Sequence, residues 1–133
     1  MLIRLEDLPP KLQEQAKAKL NKYHAKKTEV DGITFDSKKE SDRYAVLTLL
    51  AKAGAISDLV LQPRYLLQDA FRCNGKAVRK IEYVADFQYK CKGVTVVEDV
   101  KGQKTQVYML KKKLFLYKYK DLFDAGEWEF REI

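Results

Sequence analysis

The sequence predicts an α/β fold: a mixed sheet flanked by helices, in the order helix, three strands, helix, strand, with an extra amino-terminal helix and hairpin in front. Apolar residues recur at helical spacing in three stretches that begin near residues 9, 37 and 105, and they alternate at period two through the middle of the chain. A last apolar strand, "EWEFREI", follows the third helical stretch. With 133 residues and 46% hydrophobic side chains spread along its length, the chain is expected to form one domain with a real core. Residues 1–36 would be the helix and hairpin extension, and 37–133 the core.

Leu8, Leu12, Ala16, Leu20 and Tyr23 recur at helical spacing around Pro9-Pro10, which suit a helix start and predict a basic amphipathic helix over 9–25. "EVDGITF" reads as a short hairpin turned by Asp31-Gly32. The second helix runs from Ser37 to about Ala53, with Ser37 and Glu40 as a capping box and Gly54 as the stop. "LVLQPRYLL" (59–67) is the first core strand, in which Pro63 marks a sheet edge or a bulge. In "RKIEYVADFQYK", Ile81, Tyr83, Ala85, Phe87 and Tyr89 share one face, and Glu82, Val84, Asp86 and Gln88 the other. Lys92-Gly93 turns the chain into "VTVVEDVK". Residues 105–119 form the third helix, with Val107, Leu110, Leu114 and Tyr117 as its apolar stripe. Reached through that crossover helix, the last strand should run parallel to the third.

Composition excludes several classes. No apolar run approaches the roughly 18 residues of a membrane span, and the acidic amino-terminal residues Glu6 and Asp7 predict no secretory leader. Cys73 and Cys91 have no ligand-like spacing and read as free thiols of a reducing, cytoplasmic compartment rather than a zinc site. His24 is the only histidine, so histidine-metal chemistry has no basis, and no phosphate-cradling glycine-rich loop appears. The formal charge is +7, and its distribution says more than its size. Lys101, Lys104, Lys111, Lys112, Lys113, Lys118 and Lys120 fall in a stretch with no acid before Asp121. Lys11, Lys17, Lys19, Lys22, Lys26 and Lys27 stand against Glu14 alone. Two such clusters fit a polyanionic partner, foremost nucleic acid, although two solvated helix faces would look alike.

The candidate chemistry lies in "VVEDVKG", Val96–Gly102. If Lys92-Gly93 is a two-residue turn, Asp86 lies opposite Asp99, with their Cβ atoms about 4.5–5.5 Å apart. Carboxylates that close repel unless something positive intervenes. Lys101 falls on the same face as Asp99, whereas Glu98 points away. A hard cation such as Mg²⁺ between Asp86 and Asp99, with the Val100 carbonyl as a further ligand, would relieve the repulsion. Lys101 would then stabilise charge or orient a water. Glu40 fits either the cap of its helix or a third acid. Thr105 could cap the third helix, on which Tyr108, Lys111 and Lys112 can share a face, and Lys104 precedes it. Gln62 and Arg64, in the first core strand, and Arg43, one turn after Glu40, are polar candidates that equally fit an exposed surface.

The succession of Glu40, "ADF" and "EDVKG" resembles the PD-(D/E)xK, or restriction-endonuclease-like, superfamily, with Ala85 where that motif has its proline. The strings "FDSKKESDRYAVL", "LQPRYLL", "YVADFQY" and "VVEDVKGQKT" are similar to those of a family of small phage and prophage nucleases, over roughly Gly32 to Ile133. The chain is also similar to Holliday-junction-resolving endonucleases and to the end-cleaving subunit of some transposases. The resemblance implies a restriction-endonuclease-like core (αβββαβ) and a Mg²⁺-dependent DNA endonuclease, with Mn²⁺ as a substitute. It further implies that Asp86, Asp99 and often Glu40 bind the metal, with Lys101 as the lysine. The doublet leaves Glu98 as an alternative ligand, and spacing to Lys101 favours Asp99. Lys104, Thr105, Tyr108, Lys111, Lys112, Gln62, Arg64 and Arg43 would contact DNA, and branched or junction substrates would call for a homodimer. The location would be the cytoplasm of a bacterial host. A non-catalytic nucleic-acid-binding protein is the alternative, and a scaffold for an acidic partner is a third.

Overall fold

The computed structural model describes residues 9–11, 13–15, 29–30, 32–100 and 104–133. It is an α/β protein with a mixed sheet and helices, as expected. The amino-terminal helix expected over 9–25 lies mostly outside the described residues, together with Lys17, Lys19, Lys22 and His24. Within it, residues 10–11 and 13–15 are helical, and the Gln13 N–H donates to the Pro9 carbonyl at 3.0 Å. Residues 1–59 with 89–92 form one compact unit, and 60–88 with 93–133 form a second.

In the first unit β1 (Glu29–Val30) and β2 (Ile33–Thr34) pair as an antiparallel hairpin, with Val30 opposite Ile33. Helix α1 (Lys38–Lys52) starts where the Ser37 side chain accepts the Glu40 N–H at 3.1 Å, the expected cap. It ends in a Schellman motif: the Ala55 N–H reaches the Leu50 carbonyl and the Gly54 N–H that of Ala51, with Gly54 at φ +77°. Tyr44, Ala45, Val46, Leu47, Leu49 and Leu50 of α1 are buried, and Tyr44 packs its ring 5.1 Å from Phe35.

The strand boundaries differ from those expected. The expected strand 59–67 is two strands, β3 (Ser57–Leu61) and β4 (Arg64–Gln68), and the expected strand 79–90 is likewise β7 (Ile81–Val84) and β8 (Phe87–Cys91). Strand β3 joins a four-stranded sheet in the order β10-β9-β8-β3, whereas β4 pairs with β7 in a sheet of their own. Both strands therefore break at one level. Gln62 takes a left-handed φ of +49° before Pro63, the Gln62 N–H donates to the Asp86 carbonyl, and the Ala85 N–H donates to the Pro63 carbonyl. Proline removes a ladder donor, and the break falls where that donor is missing.

Between these pairs lies a hairpin that period-two reading passes over. β5 (Phe71–Cys73) and β6 (Lys76–Val78) pair around Asn74-Gly75, both at positive φ as a type I′ turn requires. The "NG" dipeptide is its sequence signal. Lys92 and Gly93 have the same signature, as expected, and connect β8 to β9 (Val94–Asp99). Helix α2 (Gln106–Lys118) and a short α3 (Lys120–Asp124) then lead to β10 (Trp128–Glu132), which pairs parallel with β9, Trp128 opposite Thr95 and Glu132 opposite Asp99.

The apolar stripe expected on α2 is not the face it buries. Val107, Leu110, Leu114 and Tyr117 are 41–77% exposed, and the helix is anchored through Tyr108 and Phe115 instead. Two apolar rows compete on this helix, and the inner row carries the ring area. Phe115 lies 4.6 Å from the Tyr65 ring and 5.0 Å from that of Tyr83, within a cluster that also holds Ala85 and Val97. Phe115→Ala should therefore cost about 3–5 kcal/mol of stability. Leu110→Ala and Tyr117→Ala should change it by no more than about 0.5 kcal/mol. Urea unfolding of the three variants checks this ordering.

Candidate active site

Strand β9 carries its apolar run Val96-Val97 into two acids, and Glu98 and Asp99 both have no solvent exposure. Burying carboxylates costs free energy unless partners hold them, so their place at a strand end needs a local reason. For Asp99 one partner is the Tyr83 hydroxyl, which donates to Oδ2. Burial first, then this bond, raises the Tyr83 hydroxyl pKa well above its ordinary value. The hydroxyl is thereby kept as a donor.

Asp86 straddles Asp99. Its N–H donates to the Glu98 carbonyl at 3.1 Å, and its Oδ2 accepts the Val100 N–H at 2.6 Å. In a regular antiparallel ladder a backbone carbonyl would receive that amide. Here the side chain does, because the chain has bent: the Asp86 carbonyl is turned to the Gln62 N–H instead. The paired position deduced from the turn is thus occupied by a residue that closes the ladder, half-exposed where Asp99 is buried.

Beside Asp99 in the parallel register stands Glu132, which sequence reasoning missed. Tyr108 donates its hydroxyl to Glu132 Oε2 at 2.6 Å, Lys112 reaches the same oxygen at 2.9 Å, and Lys104 lies 2.5 Å from Oε1. These donors hold the Glu132 carboxyl down to about pKa 2. Tyr108 is raised well above its ordinary value by burial and by its bond to Glu132. Its ring lies 6.3 Å from that of Tyr83, so Asp99, Tyr83, Tyr108 and Glu132 form one polar row. Lys104, Tyr108, Lys112, Lys113 and Glu132 line an open cavity of about 160 Å³ at the start of α2. It sits at the carboxyl ends of two parallel strands, where open α/β sheets place ligands. Glu132 could not be found from spacing, since only the β9–β10 register brings it to Asp99.

The other expected site residues are distributed as follows. Glu40 is buried in the first turn of α1, and Arg43 is half-buried one turn later; both belong to the first unit. Lys101 lies outside the described residues. Thr105 caps α2 by accepting the Tyr108 N–H at 3.1 Å, as expected. Tyr108 and Lys112 turn inward to Glu132 rather than outward, and Lys111 is half-buried beside them. Gln62 is not a strand residue but the kink itself, and Arg64 opens β4 with its guanidinium 3.8 Å from Glu82.

As for a metal, Asp86, Asp99 and the Val100 carbonyl are an all-oxygen set of the kind Mg²⁺ accepts. Among the described residues no group of three or more His, Cys, Asp or Glu could hold an ion. A cation here would have two protein carboxylates and would draw its remaining ligands from water and substrate. No helix among the described residues is long and apolar enough to cross a membrane.

The chain belongs to the family described as "Protein of unknown function (DUF1064)", whose model matches residues 20–132. No curated protein and no solved structure matches it.

The Glu132 carboxyl is depressed from 4.5 to about 2, so its partners contribute stability that is present above pH 4.5 and lost as pH falls toward 2. Glu132→Gln should flatten the fall of melting temperature across that window, and thermal melts of both proteins at a series of pH values measure it.

Proposed function

We propose that this chain is a Mg²⁺-dependent endonuclease that hydrolyses DNA phosphodiester bonds, built on a restriction-endonuclease-like core. The observation that carries the reading is that Asp86 bonds to both chain neighbours of Asp99 at the end of β9, with Asp99 buried and Asp86 half-exposed. Two acids and a carbonyl at the carboxyl end of a parallel strand pair are what such chemistry needs of a protein.

In this reading Asp86, Asp99 and the Val100 carbonyl hold the ion, with Glu98 as the alternative carboxylate. A bound Mg²⁺, or Mn²⁺ in its place, would polarise the phosphoryl group and lower the pKa of a coordinated water. Tyr83 fixes the Asp99 carboxylate through its hydroxyl. Asp86 holds the backbone at Val100 in position. Lys101 stabilises charge on the phosphoryl oxygens in the transition state. Lys104 and Lys113, at the mouth of the cavity, meet the phosphate backbone, with Lys112 and Tyr108 shaping the wall. A branched or junction substrate, a homodimer with two active sites and a cytoplasmic location follow from the resemblance to junction-resolving nucleases.

A second reading, a DNA-binding protein without hydrolysis, is favoured by one observation. Both described carboxylates already accept protein hydrogen bonds, from Val100 and from Tyr83. The two readings separate in one experiment. A four-way junction, a flap, a nicked duplex and supercoiled plasmid are incubated with the protein in Mg²⁺. Asp86→Asn, Asp99→Asn and Lys101→Ala should each lower cleavage by roughly 10²-fold or more, the scale of losing one preorganised electrostatic group. Asparagine is chosen at position 86 because it keeps an acceptor for the buried Val100 N–H. Salt-sensitive binding with no cleavage by the unaltered protein would select the second reading.

A further inference from the structure

The hairpin β5–β6 has no part in the site above, and it is the most exposed ordered element of the second unit. Every residue from Phe71 to Ala77 is exposed, and the two strands pair only with each other. A ribbon that buries so little contributes little to the core, yet its Asn74-Gly75 turn is built to hold it in a defined shape. From Ala70 to Ile81 it carries Arg72, Lys76, Arg79 and Lys80 and no acid.

The register sorts these charges. Phe71 pairs with Val78, Arg72 with Ala77 and Cys73 with Lys76. Side chains alternate along each strand, so Arg72 and Ala77 share one face, and Ala70 and Arg79 extend it. That face has two guanidinium groups on a diagonal, with only alanine methyls between them. The residues around it enclose a shallow, open hollow of about 360 Å³. Arg72 uses one donor on the Gly75 carbonyl at 3.0 Å, which steadies its stem and leaves four of its five N–H donors for other partners. Lys80 is drawn toward Glu82 at 3.4 Å, and no ion pair engages Arg72 or Arg79 among the described residues. Small residues between two guanidinium groups outside any ion pair let a bulky polyanion approach closely, and arginine forks match phosphate bidentately.

We propose that the Arg72–Arg79 face of the β5–β6 ribbon is a second DNA-contacting surface, which binds the phosphate backbone of duplex DNA away from the candidate active site. This rests on the reading of the protein as one that acts on DNA, but not on its being a nuclease. The ribbon anchors the duplex without reading sequence, so affinity is uniform across sequences and strongly dependent on salt.

The test measures binding of a fluorescent 30-base-pair duplex of arbitrary sequence in EDTA, where no cleavage occurs, across a series of NaCl concentrations. Each phosphate that is no longer neutralised should lower the slope of log affinity against log salt by about one. Arg72→Ala/Arg79→Ala should therefore reduce the slope by about two and weaken binding at least tenfold at moderate salt. Lys92→Ala, at the β8–β9 turn, should leave the slope within about half a unit of the unaltered protein. Arg79→Glu alone leaves the Arg72–Gly75 bond intact and should weaken binding more than Arg79→Ala does, so the result does not depend on the turn surviving the double change. An unchanged slope in the double variant, with circular dichroism like that of the unaltered protein, overturns the proposal. So does an equal loss with Lys92→Ala. Failure of Asp86→Asn to affect cleavage would strike the nuclease reading and leave this one standing.

Discussion

Hydrogen bonds from three directions meet at Asp86. Its N–H goes to Glu98 on one side, its carbonyl receives Gln62 from the other, and its carboxylate takes the Val100 amide that the ladder has left behind. A residue within a flat strand presents N–H and C=O to the same neighbour. Asp86 divides them, and through that division the β3–β4 and β7–β8 strands bend together. The bend frees β4 and β7 to pair apart from the four-stranded sheet, and it brings Tyr83 to Asp99. Removing the Asp86 carboxylate would leave the Val100 N–H, buried in a residue 7% exposed, without its acceptor. Such a loss costs about 1–3 kcal/mol.

From that joint the aromatic cluster follows. Tyr65 on β4 and Tyr83 on β7 stack with ring centroids 6.1 Å apart, and Phe115 of α2 packs against both. Tyr119 stacks on Trp128 at 5.1 Å and ties the end of α2 to β10. The rings form an apolar floor, and the hydroxyls of Tyr83 and Tyr108 reach from it to the two strand-end carboxylates. A phenol suits this duty: its ring is buried among apolar neighbours while one polar atom reaches the acid. The same floor explains why α2 turns a row of Val107, Leu110, Leu114 and Tyr117 outward, since no comparable ring contact is left for it.

Local chemistry is legible in the sequence wherever two or three neighbouring residues decide the conformation. The Ser37 cap, the Gly54 stop, the Lys92-Gly93 turn and the Thr105 cap all stand as their residue types require. The parallel β9–β10 pair follows from the crossover helix. What is not legible depends on partners distant in sequence. Pro63 signals an irregularity, but only its bond from Ala85 turns a bulge into a break shared by two strands. The outward face of α2 cannot be told from the inward one by periodicity, because both rows are apolar. Counting back from a turn pairs Asp86 with Asp99, yet strict alternation puts Tyr83 on the opposite face, and the bend brings it round. Glu132 needs the register of a strand that begins 29 residues after β9 ends, at Trp128 against Asp99.

The chemistry proposed for this protein reduces to one claim, that Asp86 and Asp99 together bind a divalent cation. Both accept hydrogen bonds now, and a hard cation would compete for the same lone pairs while leaving Tyr83 and Val100 to orient the carboxylates. Isothermal titration of the protein with Mn²⁺ in the absence of DNA tests this without reference to activity. Saturable heat is expected from the unaltered protein, and Asp86→Asn and Asp99→Asn should each remove it while both variants still melt cooperatively. Heats unchanged in those variants, or no saturable binding by the unaltered protein, would contradict the claim.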